Sequence, residues 1–350
     1  MIMSDDYPFV SIIIVNWNGQ RFLEECFVSL NNLNYPRDKY EVILVDNASM
    51  DNSIDFTRNK FSEVKVIKNE VNEGFCKPNN DGVRIAQGEY VVFLNNDTVV
   101  AQNWLKELVI GALSDPGIVC CASRILYYDD KKRINAAGGK FTIIGGGFYR
   151  GYGEYDSDKY DIPAFTGFGC GAGVLVKKSF FETIGGFDED YFASIEEVEL
   201  GLKAWLLGYK VLYVPGAVMF HKESGTFGSK GSYSPTKVFL LTRNRLINLL
   251  KNYQAATVVK GLCISILFDA FRSVKYISSK NFASVKSIIR GYIQFLISIR
   301  KTLRKRAWVQ ARRKISDKEL YRAGVLATLK ESIAEEQRLG KVVAGAFYKS

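Results

Sequence analysis

The sequence predicts an α/β fold, with a mixed, mostly parallel β-sheet flanked by helices and followed by a C-terminal helical region. Short β-branched runs alternate with helical periodicity over the first hundred residues, and polar side chains follow the ends of these runs. Positive charge is concentrated in one late segment, which sets the helical region apart. A chain of 350 residues can form one large core with a helical appendage.

Four apolar runs of strand length occur in the first hundred residues. They are residues 10–15, 41–45, 64–67 and 90–94. Helical stretches separate them, the first of which places apolar side chains at Leu23, Cys26, Phe27 and Leu30. Strands that alternate with helices in this way form parallel, doubly wound sheets.

The middle of the chain is less regular. A glycine-rich passage at residues 138–153 predicts an irregular excursion or a β-ribbon, and residues 170–178 predict a further strand. Residues 196–207 have a helical pattern, and a short apolar strand is expected at residues 211–214. From about residue 234 the sequence is helical throughout.

The net charge of +10 is unevenly distributed. Residues 251–315 contain 15 Lys/Arg and one acid, Asp269, so the rest of the chain is slightly acidic. A segment with this charge favours phosphate on lipid or on nucleic acid. Because no basic motif with interleaved aromatic residues is present, the sequence favours lipid over nucleic acid.

One apolar stripe runs through this basic segment at steps of three and four. It consists of Val285, Ile288, Tyr292, Phe295, Ile299 and Leu303, with Lys and Arg beside it. This pattern predicts an amphipathic helix. Such a helix either lies in the interface of an anionic membrane or packs on the first domain.

Cysteine usage and the absence of apolar spans predict a cytosolic protein. The six cysteines show no C-x-x-C pair and no Cys/His metal spacing, which indicates reduced structural thiols. The start of the chain carries Asp5 and Asp6 and no basic segment typical of a signal peptide. No uninterrupted apolar run reaches about 18 residues, so we expect that the chain does not cross a bilayer.

The strand at residues 90–94 runs into Asn95, Asn96, Asp97 and Thr98. In α/β proteins ligands bind at the carboxyl ends of strands. A carboxylate held there suits a hard divalent cation, which in turn suits a diphosphate. His221, the only histidine, follows an apolar strand and is either a further ligand or a satisfied surface residue.

Two other polar strings point to ligand contacts. Asp46 ends a strand and could accept the N–H of a nucleotide base, although the residues after it could equally cap a helix. Asn72, Gly74 and Asn80 belong to a polar loop whose glycine permits close backbone approach and whose amides suit sugar hydroxyls.

Three glutamates, Glu196, Glu197 and Glu199, open a predicted helix. A helix N-terminus favours ionised carboxylates, and such a carboxylate suits a general base acting on a hydroxyl. The same dipole would equally attract acids that have no catalytic role.

The order of these motifs resembles the inverting glycosyltransferases of family 2, which have the GT-A fold, and especially their rhamnosyltransferase-like branch. The matching passages are VSIIIVNWNG, EVILVDNASMDNS, NEGFCKPNNDGV, GEYVVFLNNDT, GGFDEDYF, IEEVELGLKAWLLGYKV and HKESGTFG. They cover about residues 10–252. The string RNRLINLLKN, at the end of this range, also resembles the family. The resemblance implies a catalytic domain over 1–232, with a nucleotide-sugar half at about 8–100 and an acceptor half at about 101–232. A basic amphipathic helical region over 233–350 follows.

The resemblance also implies residue roles. The nucleotide-sugar side would comprise Asn16, Asp46, Asn72, Gly74, Asn80, Asn95 and Asn96. Asp97 stands where the family's metal-binding D-x-D string ends, with Asn95 in place of the first acid, and His221 would be a second metal ligand. Glu197 stands at the catalytic-base position, with Glu for the usual Asp, so that Glu196 remains an alternative base. Gly171 and Glu199 would face the acceptor.

The implied reaction is the metal-dependent, inverting transfer of a sugar from a UDP-, dTDP- or GDP-linked donor. The acceptor would be a hydroxyl of a lipid-linked saccharide or polysaccharide, the cofactor Mg²⁺ or Mn²⁺, and the location the inner face of the cell membrane. Two alternatives remain, a non-catalytic nucleotide-sugar binding protein and a metal-dependent nucleotidyltransferase. Residues 16–21 lack the glycine-rich basic phosphate loop that a nucleotidyltransferase would show. The oligomeric state is not predicted.

Overall fold

The computed structural model describes residues 7–223 and 234–347. Four parallel strands form one half of a mixed sheet, in the order β4, β1, β2, β3. They are β1 (Val10–Asn16), β2 (Tyr40–Asp46), β3 (Lys65–Lys68) and β4 (Tyr90–Asn95). Between them lie α1 (Gln20–Asn31), α2 (Ser53–Lys60) and α3 (Cys76–Ile85). The predicted alternation of strands and helices is confirmed.

The other half of the sheet is largely antiparallel. Its strands are β5 (Thr98–Val100), β6 (Ile118–Tyr127), β7 (Ile134–Ala137), β10 (Ala164–Thr166), β11 (Gly173–Lys177) and β12 (Lys210–His221). β11 pairs antiparallel with both β4 and β6, and β12 pairs parallel with β6. The apolar run expected at 211–214 is part of the longer strand β12, which continues to His221 through a register shift between Val214 and Val218.

The glycine-rich passage forms a two-stranded ribbon, β8 (Gly139–Phe141) and β9 (Gly147–Tyr149). A Cβ on Gly139 would lie 2.4 Å from the Phe168 ring, so close packing explains glycine there. Three helices accompany the second half: α4 (Trp104–Leu113), α5 (Lys178–Thr183) and α6 (Glu196–Leu206).

The sheet is buried on both faces. Along β1, Ile12 and Ile14 pack into the apolar cluster on one face and Ile13 packs into the cluster on the other. Successive side chains of a strand point to opposite faces, so a run of β-branched residues is compatible only with a sheet covered on both sides. All six cysteines are free thiols, and five of them are buried.

The C-terminal region consists of five helices in the described part of the chain. They are α7 (Pro235–Asn252), α8 (Ala255–Ser278), α9 (Phe282–Arg312), α10 (Asp317–Arg322) and α11 (Leu329–Phe347). Helix α7 packs against α6, and α8 and α9 pack against α7 and against each other. The expected domain boundary near residue 232 lies outside the described residues.

The apolar stripe expected to face a membrane packs on protein instead. Ile288 is 4% exposed and Phe295 is 5% exposed. Phe295 belongs to the main apolar core, and Tyr292 and Ile299 pack against it. Only Leu303, at the end of the stripe, is exposed. The packing alternative is therefore correct for this stripe.

Helix α9 bears on the expectation that the chain does not cross a bilayer. Within residues 7–223 and 234–347 it is the one helix whose length and hydropathy would suffice to cross a membrane. By length and composition α9 could span a bilayer, so these two criteria do not support the expectation that the chain crosses none.

Candidate active site

Register places three predicted polar residues at one edge of the sheet. Asn16 at the end of β1 lies opposite Asp46 at the end of β2, and Asn95 ends the neighbouring β4. The Asn16 side-chain amide donates to Asp46 Oδ1 at 3.0 Å, and its carbonyl oxygen accepts from the Asn96 amide at 2.7 Å. The Ser49 backbone N–H donates to Asp46 Oδ2 at 3.0 Å, so Asp46 holds the turn after β2, and a contact with a base stays a prediction.

The loop before α3 lies beside this edge. Asn47 donates to Asn72 Oδ1 and to the Gly74 carbonyl oxygen, both at 2.8 Å. Gly74 has φ +83°, and a Cβ there would lie 2.3 Å from the Phe192 carbonyl oxygen, so only glycine fits. This packing joins the predicted donor loop to the segment that precedes α6.

Asn80 also holds that segment. Its amide donates to the Phe187 carbonyl oxygen at 3.0 Å, and its own oxygen accepts from the Phe187 N–H at 2.9 Å. The geometry therefore shows Asn80 as a residue that fastens a loop, and it does not show a surface free for a sugar.

Asp97 and His221 are brought together because β5 pairs with the end of β12. His221 Nε2 lies 3.3 Å from Asp97 Oδ1, and Nδ1 lies 3.2 Å from Asn135 Oδ1. The Asn135 amide donates to Glu223 at 2.8 Å, which orients its oxygen toward the imidazole. This favours the proton on Nδ1, and in the neutral ring the Nε2 lone pair then faces both the Asp97 carboxylate and the Asn95 amide nitrogen, which lies 3.5 Å away.

Two acceptors that face each other at this distance are unfavourable unless a proton or a cation lies between them. The residue types fit Mn²⁺ or Mg²⁺, since carboxylate suits both ions and imidazole suits the former. Within the described ranges no group of three or more His, Cys, Asp or Glu side chains converges on one point. Diphosphate oxygens and water would have to supply the other ligands.

Glu196 and Glu197 form a carboxyl pair at the start of α6. Glu196 is 7% exposed, whereas Glu197 is partly exposed and accepts a hydrogen bond from the Tyr149 hydroxyl at 2.9 Å. Burial raises the pKa of both carboxyls, and the charge of Glu197 adds to the increase at Glu196. The interaction between the two carboxyls raises the pKa of Glu196 and lowers that of Glu197.

This asymmetry separates the roles of the pair. Two adjacent carboxyls do not both ionise readily, and burial together with the charge of Glu197 raises the pKa of Glu196 well above its usual range, so Glu196 is the group that keeps a proton. Glu197 is then the carboxylate and the group nearer to solvent. The Oε2 atoms of both Glu196 and Glu197 are buried and have no conventional hydrogen-bond donor among the described residues.

Gly171 is buried and lies beside Glu197, with room for one further carbon atom. A Cβ on Gly171 would lie 3.8 Å from the Glu197 Cβ and 3.7 Å from the Phe75 ring, which are ordinary contact distances. The next residue, Ala172, accepts a hydrogen bond from the Asn95 N–H at 3.0 Å. The segment thus connects the strand end that precedes Asp97 with the Glu196–Glu197 pair.

The loop that leads into α6 is strained. Ile195, directly before Glu196, has φ +77°, a conformation that β-branched residues rarely adopt. The Asn244 amide of α7 lies 2.8–3.0 Å from the carbonyl oxygens of Tyr191, Ala193 and Ser194 and holds this loop.

Glu199 lies in a different environment. It is 2% exposed, and its Oε1 lies 2.6 Å from Lys251 Nζ and 3.2 Å from Lys203 Nζ. Burial alone would raise the pKa of Glu199, but the charges of Lys203 and Lys251 outweigh it and lower the pKa. The geometry therefore argues against a contact between Glu199 and an acceptor.

Sequence reasoning missed four side chains at this site: Asn135, Tyr149, Lys237 and Asn244. Their contacts join residues far apart in the chain, so no local pattern marks three of them. Asn244 belongs to RNRLINLLKN, which the sequence marks only through the family resemblance. The string that begins at His221 continues into residues 224–233, outside the described residues.

Comparisons with known proteins identify the family of the domain. The family model described as Glycosyl transferase family 2 matches residues 11–185, which is half of the chain. A poly(ribitol-phosphate) beta-glucosyltransferase of Bacillus spizizenii is 37% identical over 100 residues, which cover 27% of this chain and 16% of the relative. A probable glycosyltransferase of Bacillus subtilis, YdaM, is 25% identical over 230 residues, 63% of this chain and 52% of the relative.

A solved structure shares the fold. The mannosyltransferase PcManGT from Pyrobaculum calidifontis, in complex with GDP-Man and Mn²⁺, superposes with a TM-score of 0.51 at 17% identity. The match covers 85% of this chain and 89% of that one. The likeness confirms the predicted fold class, GT-A with a mixed sheet and flanking helices. The chain spans only between 16% and 52% of the two curated relatives.

Proposed function

The chain belongs to glycosyl transferase family 2, and we propose that it transfers a sugar from a nucleotide-diphosphate donor to a hydroxyl of a saccharide acceptor, with inversion. The observation that carries the proposal is the Glu196–Glu197 pair. The pKa of the Glu196 carboxyl is raised well above its usual range, so this group keeps its proton, whereas Glu197 is the more exposed carboxyl and lies next to Gly171.

Glu197 acts as the general base in the proposed reaction. Its carboxylate accepts the proton of the acceptor hydroxyl while that oxygen forms a bond to the anomeric carbon. The bond from the anomeric carbon to the diphosphate breaks on the opposite face, and its electron pair leaves with the nucleotide. Tyr149 holds the Glu197 carboxylate through a hydrogen bond. Because the acceptor oxygen displaces the diphosphate directly, no covalent intermediate is required.

Asp97 and His221 would hold the divalent cation. When bound, Mg²⁺ or Mn²⁺ offsets the negative charge that develops on the leaving diphosphate. The chain itself orients the imidazole through Asn135 and aligns Asp97 by pairing β5 with β12. Because Asp97 lies in the turn between β4 and β5 and His221 ends β12, the sheet must be formed before the two ligands meet.

The donor would bind along the edge formed by Asn16, Asp46, Asn95 and Asn96, with Asn72 and Gly74 in the adjoining loop. The nucleotide is UDP, dTDP or GDP, and the sugar is a hexosyl or rhamnosyl group, as the motif resemblance implies. The acceptor would be a lipid-linked saccharide or a surface polysaccharide, processed at the cytoplasmic face of the membrane. The name of the Bacillus spizizenii relative supports a polymeric acceptor class.

A panel of nucleotide sugars tests the proposal through metal-dependent release of nucleoside diphosphate. We expect turnover with at least one donor, abolished by a chelator and restored by Mn²⁺ or Mg²⁺. Asp97→Ala should lower turnover by about a hundredfold or more, because the charge on the leaving group is no longer offset.

Two outcomes would contradict the proposal. Full activity in a chelator, shared by Asp97→Ala, would exclude the cation site. Release of pyrophosphate from a nucleoside triphosphate and a sugar phosphate, without nucleoside diphosphate, would favour the nucleotidyltransferase alternative.

A further inference from the structure

Helix α8 is apolar on the side that faces away from the protein. Its buried residues are Val258, Gly261, Ser265 and Asp269, three of which are small or polar. Its exposed large apolar residues are Val259, Ile266, Leu267, Phe271, Val274 and Ile277. They recur at helical spacing on one face, the reverse of the arrangement expected for a surface helix of a soluble protein.

Helix α9 carries a second apolar face besides the stripe that packs inward. Its exposed members are Phe282, Ile289, Ile293, Leu296 and Ile297. Both helices pack on α7 through their small residues: Gly261 approaches Leu249, and Gly291 approaches Thr242. The opposite faces of α8 and α9 therefore point away from α7 together, and we call them the outer face.

Charge on the outer face is of one sign. The only acid between residues 255 and 312 is Asp269, which is 3% exposed, paired with Arg245 and hydrogen-bonded by the Tyr292 hydroxyl. Six exposed basic side chains accompany the apolar ones: Lys260, Lys275, Lys280, Lys286, Arg290 and Arg300. Exposed apolar residues flanked by cations, with no exposed acid, match an anionic lipid interface.

We propose that the outer face of α8 and α9 docks the protein on an anionic lipid bilayer. The surface differs from the stripe that the sequence indicated, because that stripe faces inward. A second copy of the chain would bring like charges together, and nucleic acid would leave the apolar side chains without a partner. Docking would bring the active site to a lipid-linked acceptor, and this purpose rests on the proposed function. Docking itself does not require activity.

Vesicle co-sedimentation of the full chain tests the proposal. We expect binding to phosphatidylcholine vesicles that contain phosphatidylglycerol, weaker binding at high salt, and little binding to phosphatidylcholine alone. Leu267→Glu combined with Ile297→Glu should reduce partitioning at least about tenfold, because the two side chains are 71% and 70% exposed on the outer face.

Two further variants complete the design. Lys286→Glu combined with Arg290→Glu should remove most of the salt-dependent binding. Val28→Glu is the matched control: Val28 is an exposed residue of α1, and this variant should bind like the unaltered chain. All variants should keep the thermal melting temperature of the parent. Glu197→Gln should bind vesicles normally, which separates a failure of docking from a failure of catalysis.

Three results would overturn the proposal. One is equal binding of the parent and the Leu267→Glu/Ile297→Glu variant. Another is a dimer in light scattering that the same variant dissociates, with no vesicle binding, which would assign the face to a second copy. The third is binding to an oligonucleotide without binding to vesicles.

Discussion

The three glutamates at the start of α6 fall into two sets whose pKa values are shifted in opposite directions. The Glu196–Glu197 pair has raised pKa values, whereas Glu199, two residues further on, has a lowered one. Glu199 belongs to a buried ion cluster, which we define as Asp188, Glu199, Lys203, Lys251 and Lys305. All three glutamates lie near the same helix N-terminus, so the helix dipole cannot explain the difference.

The difference comes from the cations that tertiary packing supplies. Lys251 of α7 and Lys305 of α9 reach Asp188, and Lys251 also reaches Glu199. Glu196 and Glu197 are held instead by a phenol and by each other, and burial outweighs the attraction that Lys237 exerts on them. A buried carboxyl whose burial is not offset by a close cation retains its proton to higher pH, and this distinguishes a candidate catalytic pair from a structural cluster.

The largest expected effect comes from removing the proton acceptor. Glu197→Gln keeps the shape of the side chain but cannot accept a proton, so transfer should fall about a thousandfold while donor binding survives. Rates of nucleoside diphosphate release and calorimetric donor titration measure the two effects. Glu196→Gln is the matched control and should retain most activity, because Glu197 keeps its carboxylate and the hydrogen bond from Tyr149. If Glu196→Gln is the inactive variant, the base assignment is reversed.

The second prediction breaks the ion cluster. Lys251→Met removes a cation that is 1% exposed and leaves Asp188 and Glu199 with one lysine each. The free energy of unfolding should fall by about 3 kcal/mol, the scale for breaking a buried ion pair. Urea denaturation measures the change, and Lys60→Met, which breaks the exposed pair with Glu24, should cost at most about 1 kcal/mol. Equal losses in the two variants would contradict the comparison.

The third prediction concerns pH. Because the base works as a carboxylate, activity should rise with pH through the pKa of Glu197, which burial raises above its ordinary range. Glu196→Ala removes the neighbouring carboxyl that lowers the pKa of Glu197, so this acidic limb should move to higher pH. The pH profile of kcat/KM measures the shift, and Glu196→Gln should leave the limb nearly unchanged. A limb that moves to lower pH in Glu196→Ala would show that Glu196 acts through its charge.

Much of the nucleotide half could be predicted from local pattern. The runs that form β1, β2 and β4 are apolar and β-branched, and the polar residues after them fall at one edge because parallel strands end on the same side. Strand periodicity alone therefore predicts that Asn16, Asp46 and Asp97 lie near one another. Which of their atoms contacts a donor stays a prediction.

The second half of the site could not be predicted in this way. Asp97 meets His221 only because β5 pairs antiparallel with the end of β12, and Tyr149 reaches Glu197 from the glycine-rich ribbon. Long-range pairing of this kind leaves no periodic signal in either segment.

The sequence by itself determined the order of strands and helices, the residues at the strand ends and the basic character of the C-terminal region. These follow from periodicity and composition, which act locally. Only the tertiary structure decided that Glu199 is neutralised by Lys251, and that α9 buries the Ile288 face and exposes the Ile293 face. An α-helix with two apolar faces can bury either one, and the choice depends on how its side chains fit α7.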